Sequence, residues 1–480
     1  MDTFRTISKN TFFVFTSRII TYFLGFVVGI YLARYLDVGV YGKYTFAFSF
    51  IAIFNVIADF GLGVVTTREV GKNREKVNIY LGTTLGLRAL LGVISFILIL
   101  IFINILGYPK DTIYIAYIMG IAMVISNLNA GFSAIYDGLE KMEYSSSVNV
   151  IYKIISSVYI VILIILKQNV VLIAVSYIIT ALVGIFIHLY IARYFLSISK
   201  FIWDRKFAKC IIKESFPIFL SSFLLIIYSR IDNIFLSKIK GEMAVGLYNV
   251  TDSMITALMF IPNSIVTALF PVIGRLYATS FESLKKIYKT AIKYLFLVAL
   301  PLGVGGAILG SEIIGFLFGA KYLEGSIALK IRVWELFFMY LNDLNGNILV
   351  GIGKQKIVFY IIFLSTLINV SLNALLVPHF GIAGSSWASV FTEALPFIII
   401  PLILFKTFGY IDKNIWIKSA ISVLIMGGCI YATKHLFLPV TILIGITVYV
   451  AFLLIFKVLK REDLAIFKNI LPFTSKYAKQ

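Results

Sequence analysis

About fourteen times along this 480-residue chain, an apolar run of roughly twenty residues gives way to a short polar connection. The runs fall near 11–33, 44–63, 80–106, 113–136, 148–166, 170–192, 215–237, 246–271, 290–318, 327–350, 357–378, 382–405, 415–433 and 437–456. Hydrocarbon offers the backbone no hydrogen-bond partners, so a chain crossing it must close its own bonds, as an α-helix or a sealed barrel. Roughly twenty residues in helix match the about 30 Å of apolar bilayer, whereas barrel strands are half as long. The expected fold is an all-α integral membrane protein with about 14 transmembrane helices. The charged fraction, 14%, lies well below the about 25% of soluble domains.

The first run is too long for the apolar core of a signal peptide and has no small-residue cleavage site, so no removed leader is expected. The longest connection, about 193–214, leaves no room for a soluble domain. Cys210 and Cys429 form neither a disulfide framework nor a metal-ligand cluster. A net charge of +20 would suggest nucleic acid in a soluble chain. Here the basic residues sit between apolar runs, where they fix orientation, so no nucleic-acid partner is expected. With the N-terminus placed in the cytoplasm, Lys and Arg show a roughly threefold inward excess. The inward set includes TREVGKNREK (67–76), Arg193 to Lys213, Arg275 to Lys293 and KVLKRED (457–463). Both termini are thus expected in the cytoplasm of a cell-membrane protein, with a basic face that attracts anionic lipids.

Two internal similarities organise the chain. LARYLDVGVYGKY (32–44) matches LSKIKGEMAVGLY (236–248), with Leu32, Gly42 and Tyr44 on Leu236, Gly246 and Tyr248. LNAGFSAIYDGLEK (128–141) matches LNDLNGNILVGIGK (341–354), with Leu128, Asn129, Gly138 and Lys141 on Leu341, Asn342, Gly351 and Lys354. The pairs relate the first span to the seventh and the fourth to the tenth. Six helices is an even number, so two lobes in one orientation follow, related by an axis along the membrane normal. The expected division is an N-lobe over 1–200, a C-lobe over 201–406, and a C-terminal helix pair with a basic tail over 407–480.

Ionisable side chains inside spans cost about 2.5–3.5 kcal/mol each by insertion scales, so each needs a cavity or a partner. The cationic candidates are Arg18 in the first span, Arg88 in the third, Lys153 in the fifth, Arg230 in the seventh and Arg332 in the tenth. Arg18, Arg88 and Arg230 are read as lining a cavity between the lobes, while Lys153 and Arg332 do so or reach back to the interface. Acidic candidates are Asp232, Asp252 and Asp343, with Asp59, Glu335 and Glu393 beside them. Arg230 and Asp232 stand some 200° apart on a helix, so they face different neighbours; Asp252 is one candidate partner. The tenth span carries Asn342, Asp343, Asn345, Gly346 and Asn347 in close succession, a stretch able to relax its backbone only where protein or water satisfies it. Pro262, Pro301 and Pro396 mark kinks, and Pro217 is expected in the first turn of the seventh span.

Catalytic signatures are lacking. His188, His379 and His435 are scattered, and the sequence has no GxxxxGK[ST] phosphate loop, so no enzyme, nucleotide or other cofactor is expected.

LARYLDVGVYGKYTFAFSF (32–50), DFGLGVVTTRE (59–69) and SRIDNIFLSKIKGEMAVGLYN (229–249), followed by LFP (269–271), resemble the polysaccharide transporters of the multidrug/oligosaccharidyl-lipid/polysaccharide superfamily. Within it the chain is similar to O-antigen-type flippases of lipid-linked oligosaccharides. The resemblance implies a V-shaped, alternating-access transporter with a cationic central cavity and a polyprenyl phosphate or pyrophosphate glycan as substrate. Arg18 matches, by residue type and span, the first-helix arginines of lipid II flippases. Asp232 matches a recurring acid of the seventh helix, implying a role in coupling to H+ or Na+. Membrane lipids and glycan-assembly enzymes are the further partners implied. The rival within the superfamily is an ion-coupled multidrug or cation exporter, for which an acid-dominated cavity is expected.

Overall fold

The computed structural model describes residues 2–195, 201–409 and 413–459, and the basic tail beyond Leu459 lies outside them. Fifteen α-helices run through the described residues, with no strand among these. They are α1 (Asp2–Tyr35), α2 (Val38–Asp59), α3 (Leu62–Lys72), α4 (Val77–Ile105), α5 (Lys110–Gly138), α6 (Met142–Ile165), α7 (Val170–Tyr190) and α8 (Arg205–Lys240). After these come α9 (Glu242–Leu258), α10 (Phe260–Thr279), α11 (Phe281–Phe318), α12 (Ser326–Gly351), α13 (Gln355–Phe408), α14 (Lys413–Thr433) and α15 (Leu438–Ile455).

Twelve helical stretches among the described residues are long and apolar enough to cross a membrane. One of them, Gln355–Phe405, is two spans. Asn373 and Ser385 would stand about 18 Å apart on one continuous helix, yet their side chains are hydrogen-bonded at 2.9 Å. The chain doubles back at Gly381, whose φ of 55° is open to glycine. Polar α12, 26 residues long, supplies the fourteenth span. Large apolar side chains are exposed along the helices, among them Phe186, Leu402 and Leu424, as lipid-facing helices require.

The chain divides into two compact units, Met1–Asn249 and Val250–Gln480. In the first, α1 lies along α6: Lys9 pairs with Glu143 at 2.8 Å, Ser17 Oγ donates to the Ser146 carbonyl, and Tyr35 Oη to that of Gln168. Small residues let the other helices approach closely, as lipid-embedded packing favours. A β-carbon on Gly120 would stand 2.9 Å from the Phe96 ring, and one on Gly184 2.7 Å from Asn129. Between α2 and α3 the chain turns through Phe60 and Gly61, both at positive φ. A β-carbon on Gly61 would lie 2.9 Å from Ile218 of α8.

In the second unit α11, α12 and α13 surround an extended apolar core, with α14 and α15 packed on α11. Tyr449 Oη donates to the Leu297 carbonyl at 3.0 Å, and the Trp416 ring meets Phe296 edge-on at 3.9 Å.

The repeats fold alike. At 128–141 and at 341–354 a helix ends with the amide of Lys141 on the Tyr136 carbonyl, and that of Lys354 on the Leu349 carbonyl. Glu140 and Gly353 take the same left-handed cap position. In the other pair the two words touch each other. A β-carbon on Gly42 would fall 1.8 Å from the Glu242 carbonyl oxygen, and one on Gly246 2.2 Å from that of Val38. Since Val38 stands to Glu242 as Gly42 does to Gly246, the contact is reciprocal, the mark of a local two-fold.

Two local expectations change. Pro217 sits well inside α8, because Asp204 caps the helix N-terminus by accepting from the amides of Lys206 and Phe207. The polar run of α12 stays helical, its side chains bonding back to the helix and across to α13.

Candidate functional site

In the first unit, Arg18 is exposed on α1. Gly25 lies two turns further, on nearly the same face and about 10 Å along the axis. There Lys153 reaches across from α6: its Nζ is 3.2 Å from where a Gly25 β-carbon would stand. The missing side chain makes room for the ammonium. One turn on, Gly29 faces open space. Among the described residues neither Arg18 nor Lys153 has a carboxylate within salt-bridge distance. The α1–α6 seam therefore carries two cations about two turns apart, within helices long enough to span a bilayer.

Arg230 and Asp232 diverge as the helix period requires. The Arg230 guanidinium stands 5.9 Å from the centroid of the Phe48 ring on α2, a cation–π contact. Phe48 neighbours Tyr177, whose hydroxyl meets that of Tyr44 at 2.6 Å. Asp232 is buried and accepts from Tyr248 Oη at 2.7 Å. Next to it Asn233 donates to Ser49 Oγ and accepts from Asn249, each at 2.8 Å. These aromatic and amide neighbours went unremarked in the sequence because nothing in a single residue type marks a tyrosine or asparagine as a partner. For Tyr44 and Tyr248 there was one signal, their matched place in the repeat.

Arg88 is placed otherwise than expected. Its side chain is 1% exposed and its guanidinium is held on both sides. One nitrogen donates to Asp59 Oδ1 at 2.6 Å; the other bonds both the carbonyl and the side-chain oxygen of Asn127. Asn127 in turn donates to the Ala58 carbonyl at 2.7 Å. Glycines accommodate the bulk: a β-carbon on Gly63 would meet the guanidinium at 3.1 Å, and one on Gly131 the Arg88 Cδ at 3.1 Å. Arg88 thus ties α2, α4 and α5 together, its own side chain buried while that of Asp59 is partly open.

In the second unit, Arg332 is likewise enclosed, at 4% exposure. It forks onto Glu335 at 2.6 and 3.2 Å, and a further nitrogen reaches Asp252 at 3.1 Å. Neither an exposed cation nor an interface-seeking one is found there, because two carboxylates occupy its donors. Asp343 accepts from Asn347 at 3.2 Å, while its other oxygen is buried with no hydrogen-bond partner among the described residues. Asn342 donates to both the carbonyl and the carboxylate of Glu393. Among the described residues Asp343 has no basic partner within salt-bridge distance.

Comparison with known proteins places this geometry. The family model described as polysaccharide biosynthesis protein matches residues 7–277, more than half of the chain, and the MatE model matches 217–375. The chain belongs to the polysaccharide biosynthesis protein family, within the multidrug/oligosaccharidyl-lipid/polysaccharide superfamily. Its fold resembles that of a lipid II flippase, MurJ, in an inward closed conformation: TM-score 0.74, 18% identity, 92% of this chain and 98% of that one. An uncharacterized membrane protein of Methanocaldococcus jannaschii, MJ1068, is 35% identical over 98 residues, 20% of this chain and 19% of that protein. The probable low-salt glycan biosynthesis flippase Agl15 of Haloferax volcanii is 23% identical over 190 residues, 36% of this chain and 38% of that protein. The chain thus spans well under two thirds of these two curated relatives. The multi-pass membrane architecture expected of the sequence is the one found.

Proposed function

We propose that the protein is a flippase that carries a lipid-linked oligosaccharide, a polyprenyl phosphate or pyrophosphate glycan, from the cytoplasmic to the outer face of the cell membrane. The observation that carries this reading is the α1–α6 seam, where Arg18 and Lys153 stand within spanning helices without carboxylate partners. A cation left so in hydrocarbon is costly unless an anion visits it. Arginine's planar fork pairs bidentately with phosphate oxygens, and lysine adds a point charge. Arg230, over Phe48, supplies a third cation of the same unit. Agl15 is named a flippase of glycan biosynthesis, and MurJ one of lipid II; both support a lipid-linked cargo. Arg88 and Arg332 act by holding their helices together, which movement between inward- and outward-open states would require.

Asp232, Asp252 and Asp343 are the coupling candidates, for H+ or Na+. A second reading, an ion-coupled exporter of cationic compounds, is favoured by one observation, the Asp343 carboxylate on α12. It has no basic partner within salt-bridge distance among the described residues and lies in the part matched by MatE. The inward excess of basic connections supports a cytoplasmic position for both termini.

The test uses cells deleted for the gene, scoring the membrane face on which lipid-linked glycan accumulates. Build-up on the cytoplasmic face, reversed by the wild type, is expected. Unchanged glycan export with new sensitivity to cationic drugs would favour the exporter.

A further inference from the structure

We propose that a groove on the second unit is a binding site for an anionic membrane phospholipid, separate from the transport reading above. The groove lies where the start of α11, the end of α13 and the start of α14 meet, and encloses about 330 Å³. Pro401, Leu402, Phe405 and Trp416 line it, with Ile398 at its apolar end. Leu402 and Ile398 are 67% and 59% exposed, so the groove opens outward on a face that hydrocarbon would cover. Its floor is Phe408 and the ring of Tyr288; the tyrosine hydroxyl is turned inward to Asn345 at 2.9 Å, which leaves ring carbon towards the groove. Such a lining accepts a hydrocarbon chain.

The other end is cationic. Gly409, at φ 70°, closes the helix, and the position its β-carbon would take lies 3.7 Å from Lys289 Nζ and 4.0 Å from Lys285 Cε. Lys413 lines the groove from α14. Lys285 has a loose partner, Glu282 at 3.8 Å, itself 83% exposed. Among the described residues Lys289 and Lys413 have no carboxylate within salt-bridge distance. An apolar slot that ends in two ammonium groups without a carboxylate partner among the described residues complements a hydrocarbon chain that carries a phosphate. The slot holds a resident phospholipid, its phosphate between Lys289 and Lys413 and one chain along Leu402 and Trp416.

The experiment titrates the purified, delipidated full chain with phosphatidylglycerol and, separately, with phosphatidylcholine, and counts bound lipid by native mass spectrometry. One tightly held phosphatidylglycerol, preferred over phosphatidylcholine, is expected. The double variant Lys289→Gln, Lys413→Gln should lose about thirty-fold in affinity for the anionic lipid, with phosphatidylcholine binding unchanged. Ile398→Trp, which fills the slot, should weaken both lipids. Equal binding of the two lipids to the wild type, or wild-type binding by either variant, would overturn the site. So would a polyprenyl monophosphate that phosphatidylglycerol cannot displace, since the groove would then belong to the substrate.

Discussion

The Arg88 guanidinium lies 2.6 Å from the Asp59 carboxylate, with the arginine buried and the aspartate partly open. Removing one partner of a buried pair leaves the other charge uncompensated, at about 3–5 kcal/mol. Asp59→Ala should therefore lower the thermal stability of the detergent-solubilised protein by an amount of that order. Arg88→Ala should do likewise, with poor membrane accumulation rather than an inactive, well-folded transporter. A variant of either kind with wild-type melting would remove the clamp assignment.

The reciprocal crossing of Gly42 and Gly246 leaves no room for a side chain, since a β-carbon at Gly42 would overlap the Glu242 carbonyl at 1.8 Å. Gly42→Ala should disrupt folding, read as loss of monodisperse protein on size-exclusion chromatography. Gly39, one turn away with nothing within 4 Å, is the control. Gly39→Ala should behave as wild type.

Arg332 sits between Glu335 and Asp252. Arg332→Ala should destabilise by about 3–5 kcal/mol, because Glu335 stays buried. The double variant Arg332→Met, Glu335→Gln, which removes a positive and a negative charge together, should recover most of that loss in a thermal melt. If the double variant melts no higher than the single, the pairing does not account for the burial of Arg332.

Spans were legible because hydrocarbon imposes one length on every helix, so even the hairpin at Gly381 showed as two runs. The fates of single charges were not. Arg18 and Arg88 are the same residue type within apolar helices, yet one is exposed and the other is 1% exposed and bound. What separates them is Asp59 and Asn127, which lie 29 and 39 positions from Arg88. No local pattern brings those residues together. The room for Lys153 likewise depends on a glycine of another helix, and Pro217 was misplaced because the cap at Asp204 starts α8 ahead of its apolar run. By contrast the divergence of Arg230 and Asp232 followed from helix period alone.

The central claim is that cations on the α1–α6 seam handle an anionic lipid cargo. Its most direct test is transbilayer movement of a polyprenyl-pyrophosphate oligosaccharide in proteoliposomes, comparing the wild type with Arg18→Gln, Lys153→Gln and their combination. Neither side chain is fixed by an ion pair, so all three variants should melt within about 1 kcal/mol of the wild type. The account predicts slowing of about tenfold or more for each single variant and no detectable movement for the pair. Wild-type rates in a folded double variant would contradict it.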